Sequence, residues 1–523
     1  MPSSSTPLVY LCLLLVPCLL LLQEARAAHH GGISLRSQQM ALLHWKSTLA
    51  SPPLQMSSWQ ENTSPCNWTG IMCTAVRHGH LRPWVVTNIS MPDAGIRGQL
   101  GELNFSALPF LTYIDLHNNS LHGALPASIS SLSALSVLYL HYNQFTGKIP
   151  YEIGDLQSLT QLSLAFSRLR GHIPASLGNL TMLTNLLIHQ TMLSGPIPEE
   201  IGRLVNLQTL QLSNNTLTNM IPKTLGNLSQ LDTLRLFGNQ FSGPIPQELG
   251  RLVNLQSLQL GINDFSGPIP ISITNLTKLN HLFLFDNQIS GPIPPEIGKL
   301  TMLNQLGLYL NQITGSIPPE LGNLTMLTYL GLCSKQITGS IPPELRKLAM
   351  LNLLYLHENQ ITGLIPPELG NLTMLTELFL YTNQITGCIP QEIGNLMKLE
   401  ILAFYQNQIL GSIPKTFGKL QSIRVMQIYD NNSTGFLPQE FGDLINLVGL
   451  DMYNNSLSGP LPANICSGGR LQYLIVSYNM FNGPIPRSLK TCTSLVKIVV
   501  EKNQLTGDIS QDFGVCFALK LQC

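Results

Sequence analysis

Residues Leu228–Arg251 read LSQLDTLRLFGNQFSGPIPQELGR. Apolar side chains stand at Leu228, Leu231, Leu234 and Leu236, followed by Asn239, Phe241, Gly243, Ile245, Pro246, Leu249 and Gly250. The same order recurs with a period of 24, and a proline occupies Pro126 and every 24th position up to Pro486 without one insertion or deletion. Sixteen consecutive hits exclude chance. Glycine keeps the same beat from Gly123 to Gly507 and is missing only at Asn219, the other residue type that tolerates left-handed backbone angles. An irregular opening unit around Ile89, Met91, Ile96 and Gly98 precedes the series, and a last one around Asn503 carries Ser510 in place of proline, which makes about 18 units in all.

The unit can be read physically. Leu234 and Leu236 alternate with polar positions, as in a strand with one buried face. A single unit holds too few apolar groups to close a core, so it is stable only when stacked on its neighbours. An inward asparagine after each strand can donate to and accept from the backbone of adjacent coils, which predicts a ladder of amides along the Asn239 column. The column fails at Ser167, Thr191 and Lys335. A buried, unpaired ammonium is costly, so Lys335 is predicted to turn outward from a distorted turn.

The pattern L-x-x-L-x-L-x-x-N-x-L-x-G-x-I-P resembles that of leucine-rich repeats, and its G-x-I-P ending resembles the plant extracellular type. The resemblance covers residues 85–523 and implies an α/β solenoid, a plant-type leucine-rich-repeat superhelix with a parallel concave sheet and an N-terminal helical Cys cap. The cap falls at residues 28–84. There Met40, Leu42, Trp45 and Leu49 are placed on one helical face, followed by Trp59, Pro65, Cys66, Trp68, Gly70 and Cys73. That W…PC-x-W-x-G…C order is similar to the N-terminal cap of plant leucine-rich-repeat proteins, which shields the apolar end of the first coil from water. It implies a Cys66–Cys73 disulfide in an oxidising compartment.

Residues 1–27 read as a signal peptide: an apolar run from Leu8 to Leu22 leads to Ala25-Arg26-Ala27, a small-x-small cleavage site. The basic segment usual before such a run is absent, and a membrane anchor is the rival reading; Pro17 and the short run favour cleavage. No apolar stretch of 18 residues follows Ala28. The expected location is the secretory pathway, then outside the cell or on its surface, at the plasma membrane if the full-length protein has a membrane-spanning helix. With 28 basic and 28 acidic residues there is no basic excess to imply nucleic acid. No His and acid companions stand at catalytic spacing beside a cysteine. We expect no catalytic residue, cofactor or metal. Asp512-Phe513-Gly514 spells a kinase metal-binding motif but falls on a repeat position, with no Gly-rich or catalytic loop around it.

Glycosylation sequons occur at Asn62, Asn67, Asn88, Asn104, Asn118, Asn179, Asn214, Asn227, Asn275, Asn323, Asn371, Asn431, Asn432 and Asn454. Five of them, Asn179, Asn227, Asn275, Asn323 and Asn371, recur every 48 residues at a point away from the strand, so sugar there would leave the strand face bare. Cys466 occupies a column that is usually Gly, and Cys492 and Cys516 one that is usually Leu. Cys466–Cys492 is the expected bridge, with Cys516 a competitor. Cys333 and Cys388 are alone in their columns and are read as unpaired; Cys523 is unassigned.

Residues between and just after the strand leucines carry information without carrying the fold. From His281 to Asn454 they supply Phe283, Phe285, Tyr309, Tyr329, Tyr355, Phe379, Tyr381, Tyr405, Tyr429 and Tyr453, with the acids Asp286, Glu358, Glu377, Asp430 and Asp451 and no Lys or Arg. Tyr381, Tyr405, Tyr429 and Tyr453 share one column, so their rings are predicted to follow one another at about 4.8 Å. Cross-strand stacking alone would account for such a column; aromatics interleaved with one sign of charge also suit an interface. The candidate ligand-binding set is Phe283, Phe285, Asp286, Tyr309, Tyr355, Glu377, Phe379, Tyr381, Tyr405, Tyr429, Asp430, Asp451 and Tyr453.

The repeats and the segment Ile465-Cys466-Ser467-Gly468-Gly469-Arg470-Leu471-Gln472 resemble ectodomains of plant leucine-rich-repeat receptor-like kinases of the male-discoverer-interacting type. Those relatives continue into a membrane helix and a Ser/Thr kinase, and Lys520-Leu521-Gln522-Cys523 does not continue the beat, so a truncated or secreted receptor fragment is expected. The resemblance implies binding of a secreted peptide or protein ligand for cell-surface signalling or immunity, with a co-receptor bearing a short leucine-rich-repeat ectodomain as partner. The alternative is a secreted inhibitor of a cell-wall-degrading enzyme, similar to polygalacturonase inhibitors.

Overall fold

The computed structural model describes residues 34–77, 82–333, 336–507 and, for the backbone, 520–522. The readings of residues 1–27, Lys335, Ser510, Asp512-Phe513-Gly514, Cys516 and Cys523 lie outside the described residues. The chain forms two compact units, Met1–Leu217 and Thr218–Cys523.

The first unit opens with the helix Leu35–Thr48, whose N-cap Ser34 accepts a hydrogen bond from the Ser37 backbone N–H at 3.0 Å. Its buried face is Gln38, Ala41, Leu42 and Trp45. Met40, expected on that face, is 52% exposed. The buried stripe follows the i, i+3, i+4, i+7 spacing from residue 38, and position 40 falls outside it. Gln38 can be buried because its Oε1 accepts the Val86 N–H at 2.7 Å, tying the helix to the first repeat strand. Cys66 and Cys73 are disulfide-bonded, and the Trp59 and Trp68 rings stack at 5.3 Å beside that loop. The cap strand Ile71–Ala75 runs antiparallel to Trp84–Ser90, from which the parallel repeat strands continue.

Within each unit most coils follow one plan. A three-residue strand is followed by the asparagine turn, then a second short strand, then a 3-10 segment that returns to the next strand. Residues 24 apart are partners in the main sheet: Leu186 pairs with Leu210 in the first unit, and Leu234, Leu258 and Leu282 pair in turn in the second. Outward residues alternate with these leucines, which are fully buried.

The returning segments of the repeats are 3-10 turns almost throughout, so the helical half of the α/β solenoid is carried by short 3-10 segments. Besides the cap helix, the described residues contain one α-helix, Arg487–Lys490. Gln247–Arg251 shows why: Pro246 enters at φ −63°, and the Leu252 N–H already closes the segment on the Leu249 carbonyl. Five residues between Pro246 and Leu252 suit the tight, short helix. A second parallel sheet, formed by strands such as Gln240–Pro244 and Asp264–Gly267, was not read from the sequence. Its turn explains the glycine beat, because Gly243 sits at φ +75° and Asn219 at φ +67°.

The asparagine column forms the predicted ladder. Asn287 Oδ1 accepts the Phe265 N–H at 3.0 Å, while its Nδ2 donates to the carbonyls of Leu260 (3.1 Å), Leu284 (3.0 Å) and Phe285 (3.1 Å), so one amide joins two coils. At Ser167 only the bond to the Leu164 carbonyl of its own coil is made. Asn431 is a rung of this ladder, buried and bonded to Phe404, Ile428 and Tyr429, with Oδ1 taken by Ile409. Its amide nitrogen is therefore committed, which removes it from the glycosylation set. Asn432 beside it is exposed. Cys466 and Cys492 are bonded as expected, and Cys333 and Cys388 are free thiols, the first half-buried and the second exposed.

Candidate functional site

The strand face of the second unit gathers the predicted side chains. Phe283 and Phe285 (ring centroids 6.0 Å) lead to Tyr309, which stacks on Phe285 at 4.7 Å and 2°. Tyr355 and Phe379 stack at 4.7 Å, and Tyr329 meets Tyr355 edge-on at 5.7 Å. Tyr381 stacks on Tyr405 at 4.3 Å and Tyr405 on Tyr429 at 4.3 Å, both nearly parallel.

Two differences from the expected column follow. Tyr453 leaves the stack, its ring 6.3 Å from Tyr429 and tilted by 50°, because it meets Tyr478 edge-on at 5.6 Å. At the other end His357 joins it, lying on Tyr381 at 4.3 Å and 20°. Subtracting 24 from Tyr381 reaches His357, then Cys333, Tyr309 and Phe285, so the whole column was readable once non-tyrosine members were admitted. The part played by Gly307 and Gly331 was not readable. A Cβ at Gly307 would lie 2.9 Å from the Phe283 ring, and one at Gly331 would collide with the Tyr329 hydroxyl, so these glycines let the rings lie flat across the strands.

The acids line this aromatic floor. Glu377 accepts a hydrogen bond from the Tyr355 hydroxyl at 2.5 Å. Asp430 occupies the turn at φ +51° and accepts from Asn454 Nδ2 at 2.8 Å. Asp451 accepts the Tyr453 N–H at 3.2 Å. Burial pushes the Asp451 carboxyl up to about 6; the Tyr453 N–H opposes that shift, Asp430 adds to it, and Lys497 opposes it. Burial also raises the Tyr381, Tyr405 and Tyr429 phenols, which stay neutral donors at any ordinary pH. Asp286, Tyr309, Leu310, Asn311, Cys333, His357 and Glu358 surround a depression of about 470 Å³ on the same face. Burial lifts the Cys333 thiol to about 11 and lowers His357, so neither is primed as nucleophile or cation. A depression of about 520 Å³ at Pro268–Ser272 and Pro292–Glu296 lies among the proline-led 3-10 turns and gathers no such chemistry.

The first unit carries a polar aromatic cluster that the sequence reading passed over. His117 and His141 stack at 4.6 Å, His117 Nδ1 lies 2.7 Å from Asp115 Oδ1, and the Tyr139 hydroxyl donates to Gln161 Oε1.

The five sequons spaced by 48 end their 3-10 segments and are exposed, as at Ala175–Asn179 and Pro319–Asn323. Asn62, Asn67, Asn104, Asn118, Asn432 and Asn454 are also exposed; Asn88 and Asn214 are half-buried. No group of three or more potential metal ligands occurs among the described residues, and none of their helices is long and apolar enough to cross a membrane.

The comparisons agree with this architecture. The leucine-rich repeat N-terminal domain matches residues 35–74, a leucine-rich repeat region matches 310–435, and further leucine-rich repeats match 109–169 and segments from 206 to 492. The structure of PEPR1–AtPEP1 superposes with a TM-score of 0.85 at 33% identity, over 90% of this chain and 66% of that one. The Arabidopsis receptor kinase HAESA, solved with the peptide hormone IDA and the co-receptor SERK1, gives 0.79 at 31% identity, over 90% of this chain and 78% of that one. The plant peptide hormone receptor RGFR1 in complex with RGF2 gives 0.76 at 31%, over 87% and 82%. The chain belongs to the leucine-rich-repeat ectodomains of plant receptor kinases. Among curated proteins, the receptor-like serine/threonine-protein kinase RGI3 of Arabidopsis thaliana is 34% identical over 124 residues, which are 24% of this chain and 9% of that protein. The matched stretch thus spans less than a tenth of that relative's length.

Proposed function

We propose that this chain is the extracellular recognition part of a cell-surface receptor and that the strand face of its second unit binds an extended secreted peptide, then presented to a co-receptor with a short leucine-rich-repeat ectodomain. The observation that carries the reading is the Tyr381–Tyr405–Tyr429 stack flanked by Glu377, Asp430 and Asp451. Rigid aromatic surface costs little entropy to present, and carboxylates that outnumber the neighbouring base, Lys497, select a ligand with Lys or Arg and an apolar anchor. The solved complexes of HAESA with IDA and of RGFR1 with RGF2 support a peptide as the ligand class. The segment Ile465–Gln472 supports the male-discoverer-interacting subtype. The test is to select peptides from a random library on the secreted protein and titrate them into Tyr405→Ala. Selected peptides that bind this variant and the parent equally would return the stack to a structural role.

A further inference from the structure

We infer that the first unit carries a binding site for an acidic polysaccharide, a chain of uronic acids, on its second parallel sheet, where Lys148, Arg168 and Arg170 come together. The site lies apart from the strand face described above and does not rest on the peptide reading.

In the strand Arg168–Gly171 the two arginines are exposed on either side of buried Leu169, so both guanidiniums leave the same face. At about 3.3 Å per residue they stand about 6.6 Å apart along it. Lys148 follows the strand Gln144–Gly147, whose Gly147 pairs with Leu169, so the next step in register sets Lys148 opposite Arg170. Its stem crosses onto that coil. A Cβ on Gly171 would lie 3.0 Å from Lys148 Cγ and 3.5 Å from Cδ, and Gly171, at φ +85°, keeps that space open.

No carboxylate of the sheet answers this charge. All three side chains are exposed, and none is held in an ion pair among the described residues. The second-sheet segments around them, 120–124, 144–148, 168–172 and 192–196, contain no Asp or Glu. Like charges set opposite one another on a sheet repel, and a bound anion removes that cost. The charge is also local, because no Lys or Arg stands at the equivalent positions of any later coil and the chain as a whole balances 28 basic against 28 acidic residues. No sequon falls between Asn118 and Asn179, so no attached sugar starts within the patch.

The neighbours of the three cations favour a sugar chain over other polyanions. His172, the next exposed residue after Arg170, donates from Nδ1 to the Ser194 carbonyl at 3.0 Å, which leaves Nε2 to accept from a hydroxyl. Met192 pairs in register with Arg170 and is 60% exposed, an apolar surface that the C–H face of a pyranose can cover. A uronic-acid chain brings a carboxylate, hydroxyls and such a face on every ring, and the guanidinium fork matches the carboxylate.

The probe is immobilised polygalacturonate, with the same polymer fully methyl-esterified, heparin, and phosphatidylserine vesicles as comparisons. The secreted protein should be retained by the free acid, pass the methyl ester, and lose retention steeply as salt rises. Arg168→Gln combined with Arg170→Gln should weaken retention by about tenfold, as the loss of two charge-assisted contacts. Arg168→Lys combined with Arg170→Lys should keep most of it. Arg251→Gln combined with Lys299→Gln removes the same charge from exposed 3-10 segments of the second unit and should change nothing. Equal retention by the methyl ester, a lysine variant as weak as the glutamine one, or equal loss in the control variant overturns the site. Stronger retention by heparin or by the vesicles than by polygalacturonate overturns uronic acid as its ligand.

Discussion

Single side chains in this fold are judged by how many coils they join. Asn287 satisfies one N–H and three carbonyls across two coils, and alanine would strand them in a dry interior. Asn287→Ala should destabilise the protein by about 2–4 kcal/mol, as the sum of several unmet backbone groups; denaturant unfolding measures it, and a loss below half a kilocalorie would contradict the ladder's energetic role. Asp451 is a second case. Its folded pKa of about 6 lies above the ordinary 3.8, so its protonated form is the one the fold favours. Its contribution is full below about pH 4 and lost as pH rises through about 6. Asp451→Asn should therefore raise stability at pH 7 by about 1–3 kcal/mol and flatten the pH dependence between 4 and 7. A flat profile in the parent would refute this. Cation binding at the same carboxylate would weaken as pH falls below 6.

At the level of the element, the aromatic stack is a row of rings on a rigid sheet, each held by its strand's register with the next. The central rings make contact on both faces, the terminal ones on one. Tyr405→Ala and Tyr429→Ala should each weaken binding of a selected peptide by about 1–3 kcal/mol. Tyr453→Ala should cost less, because that ring has turned away from the row. Titration calorimetry with melting curves separates the cases: a stack with only a structural role lowers the melting temperature and leaves affinity unchanged.

Across a whole unit, stability is close to a sum of nearest-neighbour interfaces. Deleting residues 276–299 joins Asn275 to Leu300, an equivalent position in the period, so every column closes again. That variant should be secreted and melt cooperatively within a few degrees of the parent. Deleting twelve residues in the same place puts outward residues into the core and should abolish secretion. Equal behaviour of the two deletions would deny the repeat its structural meaning.

The period alone determined the coil, the buried leucines, the amide ladder and the glycine turn, because each is a local rule repeated until chance is excluded. The Cys466–Cys492 bridge was legible as the favoured pairing, with Cys516 its competitor, since stacked coils bring those two columns close. Other features waited for the tertiary structure. Ile262 and Leu310 hold left-handed turns at φ +55° and φ +53° with nothing in their chemistry to announce it; the conformation is imposed by hydrogen bonds to the following coil, such as Ile262 N–H to the Phe285 carbonyl at 2.9 Å. Gln38 rather than Met40 faces the core because a strand N–H in the first repeat needed an acceptor. Tyr453 turned from its column toward Tyr478 because sequence decides which residues share a face, but ring orientation depends on what every neighbour on that face has already taken.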